Sequence, residues 1–517
     1  MNKAMRYPPL VSNVPHLLHG GDYNPEQWMV EPVETLGLSS VETTIPAIWQ
    51  DDMRLAEGAG INTFTIGMFS WSDLEPVEGE YHFEWLDRVM DLCAEHGITV
   101  MLGTPSGARP PWLNKKYPEV LRVNANRVRN LPGFRHNHCL SSPVYREKVQ
   151  AINTALAERY KGHKALGMWH ISNEYGGDCH CPICQERFRD WLKKRYGSLD
   201  ALNAAWWTHF WSHRYSSWEE IESPSELGDT CVLGLNLAWR RFTSDQYIDF
   251  YRWETAPLKK ITPDVPCTTN FMGTYLGFDQ FALAREMDAV SWDNYPNWRG
   301  TEEDAWEGMR VSFVHDLNRS LKGKPFMMME SSPSATNWQS VSKLRAPGMH
   351  ALQSLQAVAH GSDSVQYFQF RKGRGGSEMY HGAVVGHEGS ERAPRTRVYR
   401  EVAELGARLK TLDGVVGCST PAEVALVYDW ENAWAIDDAR GFLQKNTAYD
   451  RTVLEHYQAF WAQAVPVDII DSTCSLDGYR LVVAPMLYML RGDFAERIAA
   501  FVRAGGTFVA TYISGYV

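Results

Sequence analysis

Residues Met168–Cys184 read M-W-H-I-S-N-E-Y-G-G-D-C-H-C-P-I-C. The first half is an apolar, β-like run, and the polar pair Asn173–Glu174 stands where that strand would end. The second half spaces Cys179, Cys181 and Cys184 as C-x-C-x-x-C. One short segment thus offers a carboxylate at a strand end and a thiol set with metal-ligand spacing.

Working outward, the same rhythm of strand and helix recurs. Strands are expected at His16–Tyr23, Asn62–Trp71, Ile98–Pro105, Ala165–Glu174, Cys267–Met272, Ala289–Pro296, Pro325–Ser331 and Ser364–Phe370. Helices are expected at Pro46–Gly60, Trp85–Gly97, Tyr145–His163, Glu302–Leu321, His350–Gly361 and Arg395–Leu412. A Trp-dense, mostly helical excursion at about 185–261 interrupts the pattern after the fourth strand. Most of these strands are apolar runs without alternation, as strands covered on both faces should be. Residues 1–412 therefore read as an α/β fold, a (β/α)8 TIM barrel with one helical insertion. From about 413 the pattern restarts with strands at Glu423–Tyr428, Val465–Ile470, Tyr479–Pro485 and Gly505–Thr511, and helices at Ala448–Ala464 and Asp493–Ala504. Residues 413–517 read as a smaller open α/β domain of flavodoxin-like rhythm, expected to be incomplete because the sequence stops inside that pattern.

The bulk properties exclude several partners. The 517 residues carry a formal charge of −11 with no basic block, which speaks against nucleic acid and anionic membranes. No apolar run reaches the ~20 residues of a membrane span, and the first residues lack a secretory h-region, so the cytoplasm is the expected location. Nine cysteines, an odd number in a large chain, do not suggest a disulfide scaffold. Twenty tryptophans are many for this length and suit either a large core or the stacking of sugar rings.

In a barrel of this type the C-terminal ends of the strands carry the chemistry. There the sequence sets Asp22–Tyr23–Asn24, Trp71, Asn173–Glu174, Asn270, Asp293–Asn294–Tyr295 and Glu330, with Arg371, Glu378 and His381 just past the eighth strand. No phosphate-binding glycine loop and no Ser/His/Asp pattern accompanies them. Glu174 and Glu330, each directly after an apolar strand, can face one another across the mouth. Glycoside hydrolysis needs two such carboxyls, one to protonate the leaving oxygen and one to attack the anomeric carbon or activate water. An Asn beside the acid can bond the sugar 2-hydroxyl.

Asn-Glu after the fourth strand and Glu after the seventh resemble the retaining glycosidase clan built on this barrel. N-P-E-Q-W (Asn24–Trp28), F-S-W-S-D-L-E-P (Phe69–Pro76), the cysteine cluster and W-D-N-Y-P (Trp292–Pro296) resemble, more narrowly, glycoside hydrolase family 42, the β-galactosidases. The resemblance implies a retaining, exo-acting β-galactosidase in which Glu174 is the acid/base and Glu330 the nucleophile, at a carboxyl separation of ~5–5.5 Å. It further implies a sugar pocket of Arg135, Asn173, Tyr295, Trp338, Glu378 and His381. Substrates would be lactose, galacto-oligosaccharides or galactan fragments. Other retaining glycosidases of the clan (α-L-arabinopyranosidase, β-glucosidase or mannanase-like) and a galactoside-binding barrel without catalysis are the alternatives.

Catalysis of this kind needs no cofactor. For the cysteines, the resemblance supplies Cys139 as the fourth ligand of a structural zinc with Cys179, Cys181 and Cys184; His138 and His180 are adjacent alternatives. Four thiolates would close the site, which argues against a zinc-dependent hydrolase. The family's second domain resembles glutamine-amidotransferase folds and forms homotrimers. The strand ending at Pro485 runs into Met486–Leu487, so the nucleophilic cysteine of an amidotransferase is missing there. The family's C-terminal β domain is expected to be absent from this chain.

Overall fold

The structure is a computed structural model that describes residues 6–12, 14–29, 47–228, 230–300, 302–439 and 447–517. Pro46, the first residue of one expected helix, lies outside them. Leu18–Asp22 (β1), Thr63–Ile66 (β2), Thr99–Thr104 (β3), Leu166–Ile171 (β4), Cys267–Thr268 (β5), Asn270–Phe271 (β6), Ser291–Asn294 (β7), Phe326–Ser331 (β8) and Ser362–Tyr367 (β9) form one sheet. Its order is β5-β4-β3-β2-β1-β9-β8-β7-β6, parallel throughout. The ends meet through Thr269. The expected fifth strand is split there: Cys267 and Thr268 pair with β4, whereas Asn270 and Phe271 pair with β7. The sheet is thus a barrel of eight positions, one of them shared by two short strands.

Two layers of core follow from the pleat. Met101, Met168, Met327 and Met329 join Leu18 and Val11 in a cluster that fills the barrel interior. Trp169, Ile171 and Met328, the alternate residues, belong to the larger core beneath the surrounding helices. Flexible thioethers suit the irregular space inside a small barrel. Gly21 marks how tightly the strands meet: a Cβ there would lie 2.1 Å from the Tyr367 carbonyl oxygen on the neighbouring β9.

The elements agree with the expected order but are shorter. The second strand stops at Ile66, because Gly67 takes φ 93° and the chain turns into a short helix at Trp71–Leu74. The excursion is helical at Pro182–Tyr196, Leu199–Trp206 and Leu233–Ile261 and packs a satellite core around Phe188, Trp206, Trp239 and Phe242.

A second parallel sheet of Val424–Val427 (β10), Val467–Ile470 (β11), Leu481–Ala484 (β12) and Thr507–Ala510 (β13) has the order β11-β10-β12-β13. Its helices Tyr449–Trp461 and Phe494–Arg503 were legible; a third, Trp430–Asp438, was not. The barrel helix Asp304–Lys322 docks against this sheet: Arg319 donates to the Val467 carbonyl at 2.8 Å, and Tyr457 donates to Asp316 at 2.5 Å. Among the described residues no helix is long and apolar enough to cross a membrane.

Candidate active site

The site lies at the C-terminal ends of β4, β6, β7 and β8. After Ile171 the chain leaves β4 through two left-handed residues, Ser172 at φ 54° and Glu174 at φ 46°. Non-glycine residues rarely take this conformation, and such strain gathers at functional sites. On β8 strict alternation would send Glu330 outward, since Met327 and Met329 point into the barrel. The register between β7 and β8 slips by one residue at this point, pairing Trp292 with Met328 but Asp293 with Glu330. A bulge of this kind re-aims a side chain, and here it turns Glu330 to the mouth.

One carboxyl oxygen from each of Glu174, Asp293 and Glu330 lies within 4.8 Å of the others. This approach of single oxygens is compatible with the ~5–5.5 Å carboxyl separation of a double displacement. Arg135 Nη2 donates to Glu174 Oε2 at 2.6 Å, and its guanidinium lies 5.5 Å from the Phe69 ring centroid. Phe134 and His136, on either side of Arg135, are also left-handed, at φ 54° and 56°. Tyr295 Oη donates to Glu330 Oε2 at 2.5 Å. With its amide oxygen toward Arg135 Nη1 at 2.8 Å, Asn173 donates to Glu330 Oε1 at 3.2 Å. The reversed amide instead accepts from Asn270 Nδ2 at 3.0 Å.

At the rim the Trp338 indole is 57% exposed and meets Tyr295 edge-on, with centroids 5.1 Å apart. His381 packs edge-on to Tyr295 at 5.8 Å, and its Nδ1 pairs with Asn337 Oδ1 at 3.1 Å. His381 Nε2 is buried and unpaired. Burial and the charge of Arg345 lower the His381 pKa to about 4, so the ring is neutral and free to donate or accept. Glu378 stands on the same loop, its carboxyl raised by desolvation and opposed by Arg135.

The sequence-derived site residues therefore converge. Three rim candidates do not. Trp71 is buried and donates to Glu75; Tyr23 donates to Asp52 at 2.9 Å; Arg371 is buried against the same Asp52 at 2.6 Å. Each packs between strand and helix, a burial that strand-end position alone does not reveal. In their place stand Asp22, Asn270 and Asp293, all buried. Their only sequence signal was position at a strand end.

Four carboxyls thus crowd one buried space with Arg135 as the nearby cation. Burial, and then the charge of Glu174, push Glu330 up to about 8. Burial and the neighbouring glutamates hold Asp22 and Asp293 well above the usual carboxylate range. Arg135 is held above its ordinary value: burial opposes its charge, but Glu174, Glu330 and Glu378 outweigh it. Like charges this close cannot all ionise, so the cluster retains protons at neutral pH and titrates as a unit. Such a group can supply one carboxylate and one carboxylic acid together.

In the satellite core the sulfurs of Cys139, Cys179, Cys181 and Cys184 lie within 4.8 Å of one another, buried and in no disulfide. His138 instead stacks on Tyr145 at 4.2 Å, and His180 bonds Ser223 and Asp178. Arg122 ties the two cysteine loops, donating to the carbonyls of His138 at 2.9 Å and Gly176 at 2.6 Å.

Residues 22–412 match the glycoside hydrolase 42 family model, described as Beta-galactosidase, and residues 422–517 match the Beta-galactosidase trimerisation domain. The chain is 54% identical to the β-galactosidase Pbg of Clostridium perfringens over 516 residues, covering 99% of this chain and 72% of that one. It is 52% identical to the β-galactosidase GanA of Bacillus subtilis over 509 residues, covering 97% and 73%. The crystal structure of a β-galactosidase from Rahnella sp. R3 superposes with a TM-score of 0.94 at 53% identity, covering 99% of this chain and 73% of that one.

Proposed function

Because this chain belongs to glycoside hydrolase family 42, the β-galactosidases, we propose that Glu330 and Glu174 carry out its retaining hydrolysis of terminal β-D-galactosyl residues. The observation that supports these roles is the approach of the two carboxyls to within 4.8 Å. Glu330 attacks the anomeric carbon from one face of the sugar. Glu174, protonated, passes its proton to the departing glycosidic oxygen. Once Glu330 is esterified its charge is gone, and Glu174 takes a proton from water, which then attacks the same carbon. Two inversions restore the β configuration.

The pocket residues divide the remaining work. Asn173 faces the sugar 2-hydroxyl, a contact that strengthens as the oxocarbenium develops. Tyr295 helps hold negative charge on Glu330, and Arg135 steadies Glu174 in the second step, when it works as the base. Trp338 offers its indole to the apolar face of the ring, and Glu378 with His381 takes outer hydroxyls.

The four thiols bind a structural zinc, whose chemistry there is to crosslink the Arg135 loop to the chain leaving Glu174. Their convergence without a disulfide supports this reading. Residues 413–517 serve homotrimer formation, and the nine reduced cysteines fit a cytoplasmic location. The decisive experiment is proton NMR of the first product from an aryl β-galactoside, compared with the matching β-glucoside, β-mannoside and α-L-arabinopyranoside. β-Galactose appears first, and Glu330→Gln and Glu174→Gln abolish it. Initial α-galactose, or full turnover by either variant, would overturn the assignment.

A further inference from the structure

Asn270 occupies the one point at which the barrel strand is divided, directly after Thr269. It is 1% exposed. Its Oδ1 accepts from the Glu174 backbone N–H at 2.8 Å. Its Nδ2 donates to Asp293 Oδ2 at 2.6 Å and to Glu330 Oε1 at 3.2 Å. The amide orientation follows from the Glu174 N–H, which can only donate and so faces the amide oxygen. Reversing it would set a donor against a donor.

We propose that Asn270 is a positioning residue that registers the acid/base against the nucleophile through the two ends of one carboxamide. The proposal rests on Glu174 and Glu330 being the catalytic pair. The oxygen end holds Glu174 in a left-handed conformation that an L-residue does not favour, φ 46°. The nitrogen end fixes the Glu330 carboxyl and, by donating to it, favours its ionised form. Asp293 anchors the same nitrogen, so the amide cannot rotate without leaving a buried carboxyl unpaired. The split strand makes this possible, because Asn270 leaves the β4 ladder and joins the β7 ladder at the residue that must reach both glutamates. No other described side chain hydrogen-bonds both to the backbone of one of these glutamates and to the carboxyl of the other.

Two substitutions separate the two ends. Asn270→Asp keeps an acceptor for the Glu174 N–H but gives up the amide donors and adds a charge beside Glu330. Asn270→Ala loses both ends. For each, kcat, KM and the pH profile of kcat/KM are measured with dinitrophenyl β-galactoside, which needs no acid assistance, and phenyl β-galactoside, which does. Asn270→Asp is expected to lower kcat about tenfold or more on both substrates, with KM within about threefold, and to move the acidic limb of kcat/KM to higher pH. Asn270→Ala is expected to slow the phenyl substrate about tenfold more than the dinitrophenyl one, because the acid is no longer held. A variant that folds poorly loses amplitude without moving the limb, so the pH profile separates positioning from stability. An unmoved limb in both variants, or equal losses on the two substrates with Asn270→Ala, would overturn the proposal. Failure of the catalytic-pair reading itself appears differently, as undiminished turnover of the phenyl substrate in Glu174→Gln or Glu330→Gln.

Discussion

Tyr295 and Glu330 share the hydrogen bond that fixes the orientation of the Glu330 carboxyl: the phenol donates to Oε2 at 2.5 Å, from the end of β7 to the end of β8. The same phenol ring is edge-on to Trp338 and to His381. One side chain therefore couples the Glu330 carboxyl to the wall formed by Trp338 and His381. Tyr295→Phe keeps the wall and removes the donor. A hydrogen bond to a charged group contributes about 1.5–3 kcal/mol, so kcat should fall roughly 10- to 100-fold. Because that bond holds Glu330 down against burial, the acidic limb of the kcat/KM profile should move to higher pH.

Trp338 contributes through surface, not charge. Its indole is mostly exposed in the free enzyme. A galactose ring laid on it gains on the order of 1 kcal/mol, and Trp338→Ala should cost about fivefold in kcat/KM, chiefly through KM, with the pH profile unchanged. Steady-state kinetics at several pH values checks both parts.

Glu330 should also be a liability to stability. Its pKa is raised from 4.5 to about 8 in the folded chain, so the folded state binds a proton that the unfolded state has released. Stability attributable to this group therefore falls as pH rises between those values, and the full penalty is felt above about 8. Glu330→Gln removes the charge and keeps the shape. Its melting temperature should exceed that of the parent at pH 8, and the gap should narrow toward pH 5. Calorimetry across that range decides, and a gap that widens on acidification contradicts the reasoning.

On the proposed zinc site, Cys184→Ser should abolish zinc binding and lower the melting temperature. Activity should fall in parallel, because Cys139 and Arg135 share one loop and Cys179 and Glu174 another. Metal analysis and calorimetry on the same preparation check this. A variant free of zinc but with unchanged melting and turnover would leave the cysteines without a structural role.

The site was legible to an uneven degree. Glu174 and Glu330 were visible because each ends an apolar run, and a parallel barrel puts such residues at its mouth. The cysteine cluster was visible because its ligand spacing is local. Asn270 and Asp293 shared the same strand-end position, yet nothing in their neighbourhood separated them from Trp71 or Arg371. Trp71 turns away because it opens its own short helix and bonds Glu75 at the end of it, and Arg371 because the helix that carries Asp52 packs against it. The fifth strand read as one continuous run, since hydrophobicity does not record which neighbour a backbone pairs with.

The sequence by itself determined the order of the strands, the presence of a second sheet after the barrel and the position of the two glutamates at strand ends. All of these depend on burial or on position along the chain. Only the tertiary structure decided the bulge that turns Glu330 inward, the left-handed turn at Glu174 and the Asn270 bridge between them. Each of these arises where strands far apart in sequence meet in register, so a β4 loop, a divided strand and a bulged β8 must be brought together before one amide can reach both carboxyls.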